Sequence, residues 1–111
     1  MDLNFTSLEK KAIAKVLIDI AIADNKADSY ESAYFVQIQE VLNISVAEIE
    51  ETEYMSVAGC LKIIKNFTPD KKAAMVFMMR EMIKVDGDIS DEEFSIFQTV
   101  CEFAEIGPDV E

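Results

Sequence analysis

Histidine is absent from this sequence of 111 residues. Its absence excludes a histidine-based catalytic triad, a zinc site with histidine ligands and a Glu-x-x-His di-iron bundle. A glycine-rich phosphate-binding loop is missing as well. Paired carboxylates alone can perform acid–base chemistry, but nothing in the sequence indicates a deep pocket. We therefore expect a protein that is not an enzyme and has no small-molecule substrate.

Glycine, proline and cysteine are scarce. Three glycines and two prolines are too few for a sandwich of short strands joined by many turns. Cys60 and Cys101 form no Cys-x-x-Cys pair, which predicts small buried apolar residues in a reducing compartment. Asp19 and the Arg80-Glu81 pair interrupt the longest apolar stretches, so no run reaches the roughly 18 residues of a membrane span. With no signal-peptide pattern at the N-terminus, we expect a cytoplasmic protein that does not insert into a membrane.

Acidic residues outnumber basic ones by 22 to 10, which gives a net charge of −12. Such a surface repels nucleic acids and anionic membranes, so no nucleic-acid partner is expected. It suits cations, a basic or membrane-associated protein partner, or solubility alone. Half of the residues are apolar, enough for the core of one domain over residues 1–111.

Helix-start signals recur along the chain. Capping boxes begin at Thr6, Asp28, Ser45 and Ser90, and Pro69 fits the first position of a further helix. The first two predicted helices end near residues 23 and 43. A short acidic helix follows Ser45, and a fourth helix spans about 56–66. The fifth runs from Pro69 to about 85, and the sixth ends near 105. Residues 108–111 resemble the first turn of a seventh helix. The sequence thus predicts an all-α bundle of about six or seven helices, with the first and fifth central.

Apolar residues at helical spacing predict which faces form the core. Phe35 and Phe97 are expected to be equivalent buried anchors, and Gly59 to permit a close helix crossing. The methionines of the fifth helix are interpreted as core-filling residues rather than as a promiscuous binding face. The predicted core includes Tyr34, Ile38, Val41, Leu42, Val57, Leu61, Ile64, Met75, Val76, Phe77, Met78, Met79, Met82 and Ile83.

Two stretches of the chain match. Aligning Asp24 with Asp86 also aligns Glu31 with Glu93, and the apolar spacing after these positions agrees from 34–44 to 96–106. Shared spacing of this kind indicates one supersecondary unit used twice. We therefore expect two helix–loop–helix units related by a pseudo-two-fold axis.

Each unit carries acidic residues at its corner, an arrangement typical of a site for a hard cation with oxygen ligands. A full EF-hand is excluded, because counting from Asp86 puts Gly87 second and Glu93 eighth instead of sixth and twelfth. A shorter site for calcium, magnesium or manganese stays open. Its candidate ligands are Asp86, Asp88 and Glu93 in the second corner and Asp24, Asp28 and Glu31 in the first.

The alternative interpretation needs no metal. Glu31 and Glu93 are third residues of capping boxes and can bind the cap N–H, while acidic residues favour a helix N-terminus. The protein would then be a structural protein–protein interaction domain whose acidic loops only cap helices. That interpretation leaves Asp24 and Asp86 unexplained. A third hypothesis, a carrier modified on Ser29, ranks last because Ser29 fits a helix start.

The second corner resembles a motif of the TerB-like domain of tellurite-resistance proteins. That family has a long apolar helix that runs into Ala-Asp-Gly-x-Ile-x-x-x-Glu, usually twice. Residues 85–93 match it with Val85 in place of alanine, whereas the first corner has Asn25 for glycine and Ala27 for isoleucine. The resemblance covers about residues 5–106. It implies an all-helical, non-enzymatic domain that binds metal cations through acidic residues and serves stress-response assemblies at the inner membrane face.

Overall fold

The computed structural model describes residues 4–23, 29–85 and 91–105, and within these ranges every regular element is helical. The helices are α1 (Ser7–Ala21), α2 (Ser29–Leu42), α3 (Val46–Glu51), α4 (Val57–Lys65), α5 (Pro69–Lys84) and α6 (Asp91–Phe103), and a 3-10 turn at Thr52–Tyr54 follows α3. The predicted all-α fold is confirmed for these residues. They form a single helical bundle.

Local chemistry sets the helix starts. At α1, Thr6 Oγ1 accepts a hydrogen bond from the Glu9 N–H at 3.1 Å, and Glu9 Oε1 accepts one from the Thr6 N–H at 2.8 Å. Ser45 and Glu48 form the same reciprocal pair before α3, also at 3.1 and 2.8 Å. Both predicted capping boxes are therefore confirmed. The cap residues of the other two predicted boxes, Asp28 and Ser90, lie outside the described ranges. The predicted seventh helix also lies outside them.

Two helices end in the left-handed region. Asn43 follows α2 with φ 56° and Glu105 follows α6 with φ 59°. The N–H of Asn43 donates to the Glu40 carbonyl at 3.2 Å, and the N–H of Glu105 donates to the Glu102 carbonyl at 3.3 Å. A left-handed residue after the last turn stops a helix because it reverses the chain, so that the N–H groups at the turn bind the last carbonyls of the helix. Helix α1 ends at Ala21, two residues before the predicted end.

Helix α1 is central, since it contacts each of the other five helices. Its buried residues are Ala12, Ile13, Ala14, Val16, Leu17 and Ile20. Helix α5 contacts α1, α2 and α6 and buries Met75, Val76, Met78, Met79, Met82 and Ile83. The interpretation of its methionines as core residues is confirmed. Cys60 and Cys101 are buried free thiols, as predicted.

Several predicted core positions are wrong. Phe77 is 62% exposed, because at about 100° per residue it lies opposite the buried stripe of α5. Val41 in the last turn of α2 and Val57 at the start of α4 are also exposed, since each lies at a helix end. Phe35 is only partly buried, whereas Phe97 is a buried anchor. A Cβ at Gly59 would meet only Ser56 Oγ among the described atoms, at 3.0 Å, so this glycine serves no close helix crossing.

Candidate functional site

Glu31 and Glu93 are the two candidate ligands that the structure describes. Both lie in the first turn of a helix, Glu31 in α2 and Glu93 in α6. Both are almost completely buried, with 2% and 1% of their surface exposed. The remaining candidates lie outside the described residues: Asp24, Asp28, Asp86 and Asp88.

This burial distinguishes Glu31 and Glu93 from the glutamates of the capping boxes seen in the structure. Glu9 and Glu48 perform the capping role while staying partly exposed. Hydrogen bonds from the backbone N–H of Ser45 and from the Ser7 side chain hold the pKa of Glu48 below its ordinary value. Burial raises the pKa of Glu9, but hydrogen bonds from Thr6 and Lys71 together lower it by more, so the pKa of Glu9 lies below its ordinary value.

Capping a helix therefore does not require a buried carboxylate. Burial removes the water that would otherwise solvate the charge, and this costs several kcal/mol unless other groups compensate. A helix N-terminus, N–H donors and a bound cation all supply that compensation. Glu31 and Glu93 each lie in the first turn of a helix, where the helix dipole supplies part of that compensation.

The described residues do not by themselves complete a metal centre. Within residues 4–23, 29–85 and 91–105, no three or more cysteine, aspartate or glutamate side chains come close enough together to hold an ion. A ligand set at either corner would therefore combine Glu31 or Glu93 with oxygens from residues 24–28 or 86–90.

Two further acidic residues lie on the helices that lead into the corners. Asp19 of α1 is 3.8 Å from Lys15 Nζ, and burial raises its pKa although Lys15 partly offsets the effect. Glu81 of α5 lies near Tyr34 of α2. Burial and the Glu81 charge together raise the pKa of Tyr34 to about 12, and its buried hydroxyl has no hydrogen-bond partner among the described residues.

An open groove lies where α1 ends, between α4 and α6. Its volume is about 420 Å³. It is lined by Asp19, Ile22, Val57, Leu61, Ser95, Ile96, Thr99 and Val100. The groove could not be predicted from the sequence, because its walls come from three helices that are far apart in the chain. The one local signal in the sequence was Asp19, which interrupts the apolar stretch from Val16 to Ile22.

Comparisons with known proteins establish the fold and no more. No protein-family model matches the chain, and no curated protein matches it. Among solved structures, it is similar to the crystal structure of a protein of unknown function, PG1108, from Porphyromonas gingivalis W83. The TM-score is 0.79 at 17% sequence identity, over 96% of this chain and 89% of that one. Within the described ranges, no helix has the length and apolar character needed to cross a membrane.

Proposed function

We propose that the chain is a TerB-like module built from one helix–loop–helix unit used twice. Burial along the two long helices supports the repeat. When Asp24 is aligned with Asp86, five buried residues of α1 align with five buried residues of α5. The pairs are Ile13 with Met75, Ala14 with Val76, Val16 with Met78, Leu17 with Met79, and Ile20 with Met82.

Helix contacts and helix ends support the same alignment. A two-fold axis that relates α1 to α5 and α2 to α6 requires the helix contacts to occur in matching pairs. The α1–α2 contact should have α5–α6 as its counterpart, and the α1–α6 contact should have α2–α5. All four contacts exist. The alignment also pairs Asn43 with Glu105, the two non-glycine residues of positive φ in the part of the chain that the structure describes. A pseudo-two-fold axis through the α1–α5 contact accounts for both observations.

The proposed function is weak binding of a divalent cation at the two acidic corners, without catalysis. The observation that carries this proposal is the burial of Glu31 and Glu93 at matching positions of the repeat. Calcium, magnesium and manganese all favour carboxylate oxygens. Asp86 and Asp88 would join Glu93 in the second corner, and Asp24 and Asp28 would join Glu31 in the first. By the family resemblance, the module would act in a stress-response assembly of the tellurite-resistance type.

The second corner is expected to bind more tightly than the first. Lys26 stands in the first corner where Asp88 stands in the second, so its positive charge opposes a cation there.

The alternative is an interaction domain whose acidic loops only cap helices. The capping boxes at Thr6 and Ser45 favour it, because in both boxes the glutamate side chain accepts a hydrogen bond from the backbone N–H of its cap residue. Under this alternative, Glu93→Gln should change stability little, since glutamine also completes a capping box.

Thermal unfolding in the presence of cations separates the two functions. A short carboxylate site should have a Kd of about 10⁻⁴ to 10⁻³ M. A tenfold excess over Kd stabilises the folded state by about 1.4 kcal/mol, which corresponds to roughly 5 °C in Tm for a domain of this size. We expect calcium, magnesium or manganese to give this increase beyond that of NaCl at equal ionic strength, which corrects for screening of the acidic surface.

Matched variants locate the effect. Asp86→Asn and Glu93→Gln should remove most of the cation-specific increase, and Glu31→Gln should remove less. Glu48→Gln is the control, because Glu48 is a capping-box glutamate that stays partly exposed. Cation binding at the corners is refuted when all three ions act no better than NaCl, or when Glu93→Gln keeps the whole increase.

A further inference from the structure

The groove between α1, α4 and α6 combines exposed aliphatic side chains with one carboxylate, Asp19, among its described lining residues. Ile22 is 56% exposed and Val57 is 49% exposed, although both are large aliphatic residues. Leu61 and Val100 are buried beneath them at 5% and 3% exposure. The groove therefore has an aliphatic floor and two aliphatic rim residues that leave about half of their surface in water, while Ser95 and Thr99 add hydroxyl groups to its α6 wall.

The shape of the groove favours a helix over a small molecule. Small-molecule sites commonly enclose 70–90% of the ligand surface, whereas this groove of about 420 Å³ is open to solvent. Its walls are helices, and a groove between helices can accept the apolar face of an amphipathic helix through residues spaced by three, four and seven positions.

The charge of the groove indicates that its partner should be positively charged. Among the described residues that line it, Asp19 alone is ionisable and none is basic, in a chain of net charge −12. Lys15 is 3.8 Å from Asp19, near the outer limit of an ion pair, and the Asp19 side chain remains 26% exposed. The carboxylate is thus accessible to a second cation beside the apolar surface.

We propose that this groove docks a basic amphipathic helix of a partner protein. Aliphatic side chains of that helix would pack against Ile22, Val57 and Leu61, and a lysine or arginine at its edge would pair with Asp19. This inference does not depend on cation binding at the acidic corners, since none of the groove residues is a candidate ligand there.

Fluorescence anisotropy with designed peptides tests the proposal on the full chain. The main probe is a labelled peptide of about 14 residues, close to four helical turns, with leucines on one face and lysines elsewhere. A second peptide has glutamate in place of every lysine. A third has the composition of the first but a scrambled order that leaves no apolar face. Measurement in about 0.15 M NaCl limits non-specific attraction to the acidic surface.

We expect the ordered leucine–lysine peptide to bind the unaltered protein with the highest affinity. The double variant Ile22→Ser, Val57→Ser should weaken that binding by at least about tenfold, and Asp19→Asn by about threefold, as expected for central apolar and rim charged contacts. All three positions are partly or largely exposed, so the variants should fold, which circular dichroism checks.

Two controls match these changes in chemistry but lie away from the groove. Val41→Ser replaces an even more exposed aliphatic residue on α2, and Glu50→Gln removes an exposed charge on α3. Both should bind the peptide within about twofold of the unaltered protein, a difference under about 0.5 kcal/mol.

Several outcomes would overturn the proposal. One is equal binding of the scrambled or the glutamate peptide. Another is unchanged affinity in the groove variants, or no binding of the main probe at all. A dimer in sedimentation that becomes monomeric with Ile22→Ser, Val57→Ser would instead assign the groove to a second copy of this chain.

Discussion

Replacing Phe97 by alanine tests a core position whose counterpart in the proposed repeat, Phe35, is less buried. Phe97 lies on α6, is 4% exposed, and its ring centroid is 5.9 Å from that of Phe94. A buried phenylalanine removes about 150–250 Å² from water, which at about 25 cal/mol per Å² is worth roughly 4–6 kcal/mol. Alanine retains a small part of that area, so Phe97→Ala should cost about 3–5 kcal/mol.

Two other phenylalanines provide graded comparisons. Phe35, the matching residue of α2, is only partly buried, so Phe35→Ala should cost about 2–3 kcal/mol in proportion to its smaller buried area. Phe103, on the same helix as Phe97, is 50% exposed, so Phe103→Ala should cost about 1.5–2.5 kcal/mol by the same proportion.

Urea unfolding measures these differences. The midpoint should move in the order Phe97, Phe35, Phe103, while the slope m stays constant, because the area exposed on unfolding changes little. If Phe35→Ala costs as much as Phe97→Ala, the two anchors are equivalent, and our description of the α2 face is incorrect. An equally large loss for Phe103→Ala would contradict the assigned face of α6.

The remaining predictions concern titration. Burial and the nearby Glu81 charge raise the pKa of Tyr34 from 10.0 to about 12, so the stability that its neutral phenol contributes should be complete below pH 10 and disappear as the pH rises towards 12. The phenolate absorbance of the protein minus that of the Tyr34→Phe variant should therefore rise near pH 12. A difference absorbance that rises near pH 10 would show an exposed hydroxyl. The pKa of Glu48 lies below its ordinary value of 4.5 because the Ser45 N–H and the Ser7 hydroxyl bind its carboxylate, so its contribution is present above pH 4.5 and falls as the pH drops through its folded pKa. Urea unfolding between about pH 3 and 6 should show a smaller loss for Glu48→Gln than for the unaltered protein, and parallel curves would argue against the Ser45 capping box.

Helix starts were predictable because their causes are local. A threonine or serine followed three residues later by glutamate defines its own hydrogen bonds, as at Thr6 and Ser45. Pro69 is similar, since its ring favours the first helical position. The methionine stripe of α5 was also predictable from spacing alone, because four methionines recur on one side of the helix.

Side-chain exposure at helix ends and on the far side of α5 was not predictable in the same way. Phe77 is as apolar as its neighbours, so hydrophobicity alone did not separate it from the core, although helical spacing places it opposite the methionines. Val57 and Ile22 depend on where three helices meet, so the groove could not be foreseen. For the corners, the sequence identified Glu31 and Glu93 as a matched pair, while their burial emerges only from packing.

Paramagnetic broadening by manganese tests cation binding at the corners most directly. Mn²⁺ broadens the amide signals of residues close to it, and the chain contains its own reference for non-specific attraction, the acidic segment from Glu48 to Glu53 on its surface. With a small fraction of an equivalent of Mn²⁺, we expect residues 86–93 to broaden first, residues 24–31 next, and residues 48–53 last. Equal or earlier broadening of residues 48–53 would show that the cation follows surface charge alone and would contradict a site at the corners.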